Sequence, residues 1–356
     1  MKARSTSKGQ SAITTKDIAE RTGLSKMTVS RVLNNHPYVS EETRRKVMTA
    51  VREMGFRPNT LAKRFFTGRT QLIGVVIPLE FMFSSFYFAE LFRGVLERAQ
   101  ESGYDILLHN SASPKRPPME KCLDLVKGKL VEGLLIAAPM SYDDYPCRLS
   151  QESIPLVVMG ETVNAEKVCR VTIPNRKSSE DAVARLIAKG HRKIAILAYD
   201  NDHVESRERV AGYRDALRAA GIEFEPTLLV HAHYNRREAV REVQRLVSER
   251  PDVTAIFAAN ADMALGAADG LRSVGRSIPD DVSLVGFDDC AEMEQYDPPL
   301  STVRQFPTKL GHAACDILLG LLAGEAKPRK GLCRLVETEF MDRDSISSPA
   351  AGRGSE

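Results

Sequence analysis

The chain has 356 residues, enough to bury two or three cores, and a formal net charge of only +3. That total hides a division: residues 1–70 hold fifteen Lys/Arg against five Asp/Glu, a net of +10, while residues 71–356 hold thirty-five against forty-two, a net of −7. A basic head on an acidic body suggests a polyanion partner for the head alone, although a solvated basic face would leave the same composition.

No apolar run follows Lys2, Arg4 and Lys8, and none later reaches 18 residues. A signal peptide and a membrane-spanning helix are therefore not expected, and a cytoplasmic protein is. The six cysteines, at 122, 147, 169, 290, 315 and 333, include no CxxC pair. They read as reduced small hydrophobes, with no disulfide framework, no metal site and no cofactor expected.

In chain order, the first expected domain is a three-helix head over residues 13–58. Thr14 with Asp17 three residues on fits a capping-box start, and Ile18 and Ala19 mark the inner side of a helix ending near Thr22. Gly23 permits a tight turn. Ser25 can cap a second helix in which Val29, Val32 and Leu33 turn inward while Lys26, Met27, Ser30, Arg31 and Asn34 turn outward. Ser40, then Glu41 and Glu42, opens a third helix to Met54, whose Val47, Val51 and Met54 close a small core. Helix, Gly turn and helix make a helix-turn-helix, and its second helix has the width of the DNA major groove. The same arrangement occurs in helical hairpins that bind nothing, so the +10 charge carries part of the argument.

Residues 59–70 form the expected hinge. Within "FRPNTLAKRFFTGRT", Arg57, Lys63, Arg64 and Arg69 surround Leu61, Phe65 and Phe66, a stretch too short for a stable isolated helix. It reads as a linker that becomes helical against DNA and offers an apolar wedge to a base step.

"TTKDIAERTGLSKMTVSRVLN", "VSEETRRKV", "GFRPN" and "GRTQLIGVVIP" together resemble the head and hinge of the lactose-repressor (LacI/GalR) family of bacterial transcription regulators, and the likeness extends over nearly the whole chain. The resemblance implies a homodimer on a pseudo-palindromic double-stranded operator, with the second helices in two half-sites and paired hinge helices at the centre. It places the operator-selecting pair on Lys26 and Met27, a base-contacting Arg on Arg31, and the intercalating residue on Phe65, where the family usually has Leu. The expected DNA-contacting set is Thr15, Ser25, Lys26, Met27, Thr28, Ser30, Arg31, Asn34, Asn59, Ala62 and Phe65.

From residue 72 short apolar runs alternate with amphipathic segments: "LIGVVIPL", "YDILLHNS", "VEGLLIAAP", "IPLVVMGE", "KIAILAY", "TLLVHAH", "TAIFAAN" and "VSLVGFDD". Over 87–103, Phe88, Leu91, Phe92, Val95, Leu96 and Ala99 keep the spacing of one buried helix face. Such alternation predicts an α/β body over 71–345 with parallel sheets covered by helices. There are too many strands for one compact sheet, so two lobes are expected, crossing near 172–180 and 300–306, as in a periplasmic-binding-protein-like body. Residues 346–356 are expected to be a disordered tail; without apolar heptads it carries no coiled coil, which favours a dimer.

Ligands of such sheets sit at the carboxyl ends of strands. There the sequence places Asp288, Asn260 and Glu161, with Arg207 and Arg209 opening the helix after "KIAILAY". Asp, Asn and Arg suit hydroxyl-rich ligands, because each hydroxyl both donates and accepts. Any one of them can equally be a helix cap or a solvated side chain. The resemblance implies that Arg209, Asn260 and Asp288 hold the ligand. Tyr87 is a candidate for stacking on a flat ligand face, and Phe88 is expected to pack inward beside it. Two residues depart from the family's habit. Ala261 follows Asn260 where Asp is common, with Asp262 one residue later and about 100° around the helix, so that it is not expected to substitute. The strand-end acidic position is Gly160, beside Glu161.

No GxxxxGK[ST], GxGxxG after a strand, GxSxG or HExxH occurs, and Asp288 and Asp289 are neighbours expected on opposite faces. The expectation is a regulator, usually a repressor in the family, whose operator affinity is set by a small sugar-like effector, and not an enzyme. A soluble sugar-binding receptor, or an α/β enzyme with an accessory basic head, is the alternative.

Overall fold

A computed structural model describes residues 13–33, 36–56, 69–79, 85–111, 117–137, 139, 144–199, 203–233, 235–324 and 331–349. It divides into two compact units, 1–70 and 71–356.

The first unit is a three-helix head: α1 (Thr15–Thr22), α2 (Lys26–Leu33) and α3 (Glu41–Glu53). Asp17 accepts both the backbone N–H and the hydroxyl of Thr14, each at 2.7 Å, which satisfies a donor that the helix start would otherwise orphan. Gly23 ends α1 at φ 67°, a left-handed turn that glycine adopts without strain. Ser25 and Ser40 accept from the N–H groups of Thr28 and Thr43 and cap α2 and α3. Ile18, Ala19, Val29, Val32, Val47, Ala50 and Phe56 are buried together. Leu24, Leu33, Val39, Val51 and Met54 pack against them, while Ile13, Met27, Tyr38 and Met48 stay exposed.

The second unit holds two six-stranded sheets. One runs β11-β5-β4-β3-β1-β2, with β1 (Leu72–Ile77), β2 (Asp105–Asn110), β3 (Gly133–Ala137), β4 (Leu156–Met159), β5 (Arg170–Thr172) and β11 (Cys333–Leu335), every pair parallel. The other runs β12-β10-β9-β8-β6-β7, with β6 (Ile194–Ala198), β7 (Leu229–His231), β8 (Ala255–Ala258), β9 (Ser283–Phe287), β10 (Ser301–Arg304) and β12 (Glu339–Met341). It is parallel except for the edge strand β12. The central strands β3, β4, β6, β8 and β9 are buried throughout, which is why they read as continuous apolar runs.

Helices α4 (Phe86–Glu101), α5 (Pro118–Lys127), α6 (Tyr145–Gln151) and α12 (Pro307–Ala323) belong to the first lobe. The second has α7 (Asn175–Ala188), α8 (Val204–Ala219), α9 (Arg236–Glu249), α10 (Ala261–Ser273) and α11 (Ala291–Glu294). The chain enters the second sheet after β5, returns after β10, and crosses again between β11 and β12. "NRKSSE" is not a polar connector but the first turns of α7, with Asn175, Ser178 and Ser179 buried. Phe88, at the start of α4, is half-buried and packs against the core. The tail, expected to be disordered from 346, is held through 349: Ser345 accepts the N–H of Ser301 and donates to the Leu284 carbonyl, and the Ser347 N–H and carbonyl engage Ser283 and His191. No helix among the described residues is long and apolar enough to cross a membrane.

Candidate functional site

On the head, Lys26, Met27, Ser30 and Arg31 are exposed together along α2 while Val29 and Val32 are buried on its other side. Met27 is 66% exposed, an apolar cost that the head's own fold does not require. Thr15 and Ser25 are exposed beside this row; Thr28 is half-buried and its hydroxyl shares a hydrogen bond with Ser25. Tyr38, exposed at 90%, stands 5.6 Å from the His36 ring and was not singled out by its sequence context. Asn34, Asn59, Ala62 and Phe65 lie outside the described residues.

In the body, a cavity of about 240 Å³ is lined by Ser85, Tyr87, Phe88 and Met159 of the first lobe and by His203, Glu205, Arg209, His233, Asn235, Asn260, Asp262, Asp288 and Gln305. It lies beyond the carboxyl ends of β4, β6, β8 and β9, where parallel strands leave helix N-termini facing a crevice. It brings together five of the seven expected effector residues: Tyr87, Phe88, Arg209, Asn260 and Asp288. Glu161 sits one step outside, half-buried and 3.4 Å from Arg170, with its N–H on Glu205 at 2.8 Å. Arg207 is exposed on α8, two residues and thus about 200° from Arg209, and does not line the cavity.

Arg209 is the most constrained of the set, being only 7% exposed. Its Nε donates to Asn175 Oδ1 at 2.9 Å, its Nη1 donates to the Ala259 carbonyl at 2.6 Å, and the guanidinium lies 3.8 Å over the Phe287 ring. Asn260 caps α10, its Oδ1 accepting from the Met263 N–H at 2.8 Å, and lines the cavity as well. Capping the helix therefore does not take Asn260 out of the cavity. Asp288 closes β9 at φ 70°, a left-handed backbone that tips its carboxylate out of strand alternation. There it accepts from the Gln305 amide. Asp289 is turned elsewhere, held by Arg304 and by both Nη atoms of Arg343.

Asp262, not expected to substitute for an acid directly after Asn260, lines the cavity. It is the second residue of α10 and joins the cap residue Asn260 in the lining, while Met263 and Ala264 of the same turn are buried in the core. Burial raises the carboxyls of Asp288, Glu205 and Asp262 above their ordinary range; Arg209 opposes the shift at Asp288, and the Glu161 N–H opposes it at Glu205. Burial likewise raises the Tyr87 phenol, with Asp288 and Glu205 adding to it.

A pH prediction follows for Asp262. The folded protein keeps its proton above the ordinary value of 3.8, where the unfolded chain has lost it. Stability from this group therefore falls as pH rises through that window. Asp262→Asn is expected to gain thermal stability relative to wild type as pH goes from about 4 to about 8. Melting curves in which the difference stays flat would contradict the assignment.

A two-unit chain with an exposed recognition helix on one unit and a polar inter-lobe cavity in the other defines a ligand-controlled DNA-binding protein. Residues 14–59 match the model of bacterial regulatory proteins of the lacI family, and residues 183–346 match a periplasmic binding protein-like domain. The HTH-type transcriptional regulator CelR of Thermobifida fusca is 33% identical over 332 residues, covering 92% of this chain and 96% of its own. AscG of Escherichia coli K12 is 32% identical over 338 residues, covering 94% and 98%. A CelR–cellobiose complex superposes with a TM-score of 0.72 at 32% identity over 94% of this chain and 99% of its own. A Lac repressor dimer bound to operator and the anti-inducer ONPF superposes at 0.84 with 27% identity, over 95% and 100%. The chain belongs to the LacI family. It is a ligand-controlled DNA-binding transcription regulator and not an enzyme.

Proposed function

We propose that the chain acts in the cytoplasm as a homodimeric repressor on a pseudo-palindromic operator, and that a sugar or sugar derivative in the inter-lobe cavity sets its operator affinity. The observation that carries the effector assignment is the convergence of Arg209, Asn260, Asp262, Asp288 and Gln305 on one cavity beside the Tyr87 and Phe88 rings. Paired donors and acceptors with an aromatic wall suit a ring bearing hydroxyls. The cellobiose bound by the similar CelR supports a saccharide; the operator-bound Lac repressor dimer supports the assembly. Ligand and DNA are coupled through one protein, so each must change the other's affinity by the same factor.

A thermal-shift screen of wild type and Arg209→Ala against sugars, sugar acids, sugar phosphates and nucleobases tests the effector assignment. Ligand at a hundred times its dissociation constant stabilises by roughly 2.7 kcal/mol. A hit confined to wild type is expected, and a hit shared equally by the variant would place the ligand elsewhere.

On the head, Arg31 is proposed to read a base. Arg31→Ala is expected to cost about 1–3 kcal/mol of specific binding if the contact is bidentate, with random-sequence binding far less affected. Anisotropy titrations giving an unchanged ratio of operator to random DNA would remove it from the reading set.

A further inference from the structure

Among the described residues the first lobe contributes no acidic side chain to the cavity; Glu205 brings one from the second. β4 ends at Met159, and the next residue, Gly160, has φ 115°. A Cβ built on Gly160 would come 2.5 Å from Glu205 Oε1, so the carboxylate fills the space that a side chain at 160 would take. The same Oε1 accepts the Glu161 N–H at 2.8 Å, a bond from α8 of one lobe to the end of β4 of the other. A carboxylate has about four acceptor positions, so this bond leaves capacity for a ligand in the cavity it lines.

The charge around that carboxylate is one-sided. Among the described residues Glu205, Asp262 and Asp288 line the cavity against one arginine, and Arg209 already spends Nε on Asn175 and Nη1 on the Ala259 carbonyl. No Arg209–carboxylate ion pair within 4 Å forms among the described residues. The imidazoles of His203 and His233 complete the ionisable wall. A negative charge brought by a ligand would be desolvated beside three acids that burial already disfavours in their charged form. Hydroxyl and ammonium donors would instead satisfy those acids.

We propose that Glu205 is the specificity-determining residue of the cavity: it clasps the first lobe at Glu161 and binds donors of a neutral or amine-bearing saccharide, so that sugar acids and sugar phosphates are rejected. This rests on the reading of the cavity as the effector site. Gly160 is part of the device, since any side chain there would displace the carboxylate.

The test is calorimetry on the full chain at pH 7 with glucose and galactose and their 2-amino, uronate and 6-phosphate forms, together with amide exchange at Glu161. Wild type is expected to bind its best neutral or amino form at least tenfold more tightly than the matching uronate and phosphate. Glu205→Gln keeps an oxygen for the Glu161 N–H, so exchange there stays slow while the preference against anions shrinks at least fivefold. Glu205→Ala loses the affinity by tenfold or more and exchanges faster at Glu161. An anionic form binding most tightly, or a preference unchanged in Glu205→Gln, overturns the proposal, as does silence from every neutral and amino form. Unchanged Glu161 exchange in Glu205→Ala overturns the clasp. A probe bound equally by wild type and Arg209→Ala refutes the cavity reading instead, which separates the two failures.

Discussion

Arg209→Ala is expected to weaken effector binding at least a hundredfold and to destabilise the body by about 3 kcal/mol. Both effects come from one side chain with two duties. Facing the cavity, Arg209 supplies its cation. Facing inward, it satisfies Asn175 and the Ala259 carbonyl and covers the Phe287 ring. Truncation leaves those acceptors buried and unpaired, each at about 1–3 kcal/mol, and opens a gap above Phe287. Arg209→Lys restores the charge but not the planar fork, so it should recover part of the stability and little of the binding. Urea melts and calorimetry on the three proteins check this; a fully stable Arg209→Ala would show that the inward bonds contribute nothing net. Operator titrations with the variant belong well below its melting range, where the head's own core is intact.

Gly212→Ala is expected to cost about 3 kcal/mol, at the upper end of the usual overpacking penalty, and to weaken effector binding about tenfold. Gly212 lies on the face of α8 that packs against the first turns of α7. An added Cβ would collide with the Arg176 carbonyl oxygen and press on the Glu180 N and the Ser179 Cβ at 2.9 Å each. Two of those three atoms are backbone, which cannot swing aside as a side chain can. α8 would have to move away from α7, taking Glu205 and Arg209 with it. Gly221→Ala is the control, since its Cβ would meet nothing within 4 Å and only its φ of 66° opposes the change. That strain should cost about 1 kcal/mol. Equal losses in the two variants would mean that the helix contact yields more easily than its geometry implies.

The parts legible in the sequence are the local ones. Capping residues, the Gly turn and 3.6-residue spacing fix the three helices of the head within a few residues of one another. Continuous apolar runs announce buried parallel strands because both faces are covered. β5, β11 and β12 carry three residues each, and β11 is exposed throughout, so no periodicity marks them. The N-terminal turns of α7 carry no apolar stripe because their buried side chains are polar: Asn175 accepts from Arg209 and the Ser178 hydroxyl meets that of Thr338. Helical offset alone does not show that Asp262 lines the cavity beside the cap residue Asn260, because that depends on where α10 begins. Glu205 carried no signal, since its partner Glu161 is 44 residues away and Gly160 is informative only once the two are side by side.

The central claim is that a ligand in the body's cavity changes what the head does on DNA. The direct measurement selects a duplex from a random pool with the full chain, then titrates it by fluorescence anisotropy with and without the strongest ligand of the thermal-shift screen. The account predicts a pseudo-palindromic duplex whose affinity changes at least fivefold with ligand, or about 1 kcal/mol of coupling, in wild type and not in Arg209→Ala. A cavity ligand that leaves operator affinity untouched, or a selection that returns no preferred sequence, would contradict it.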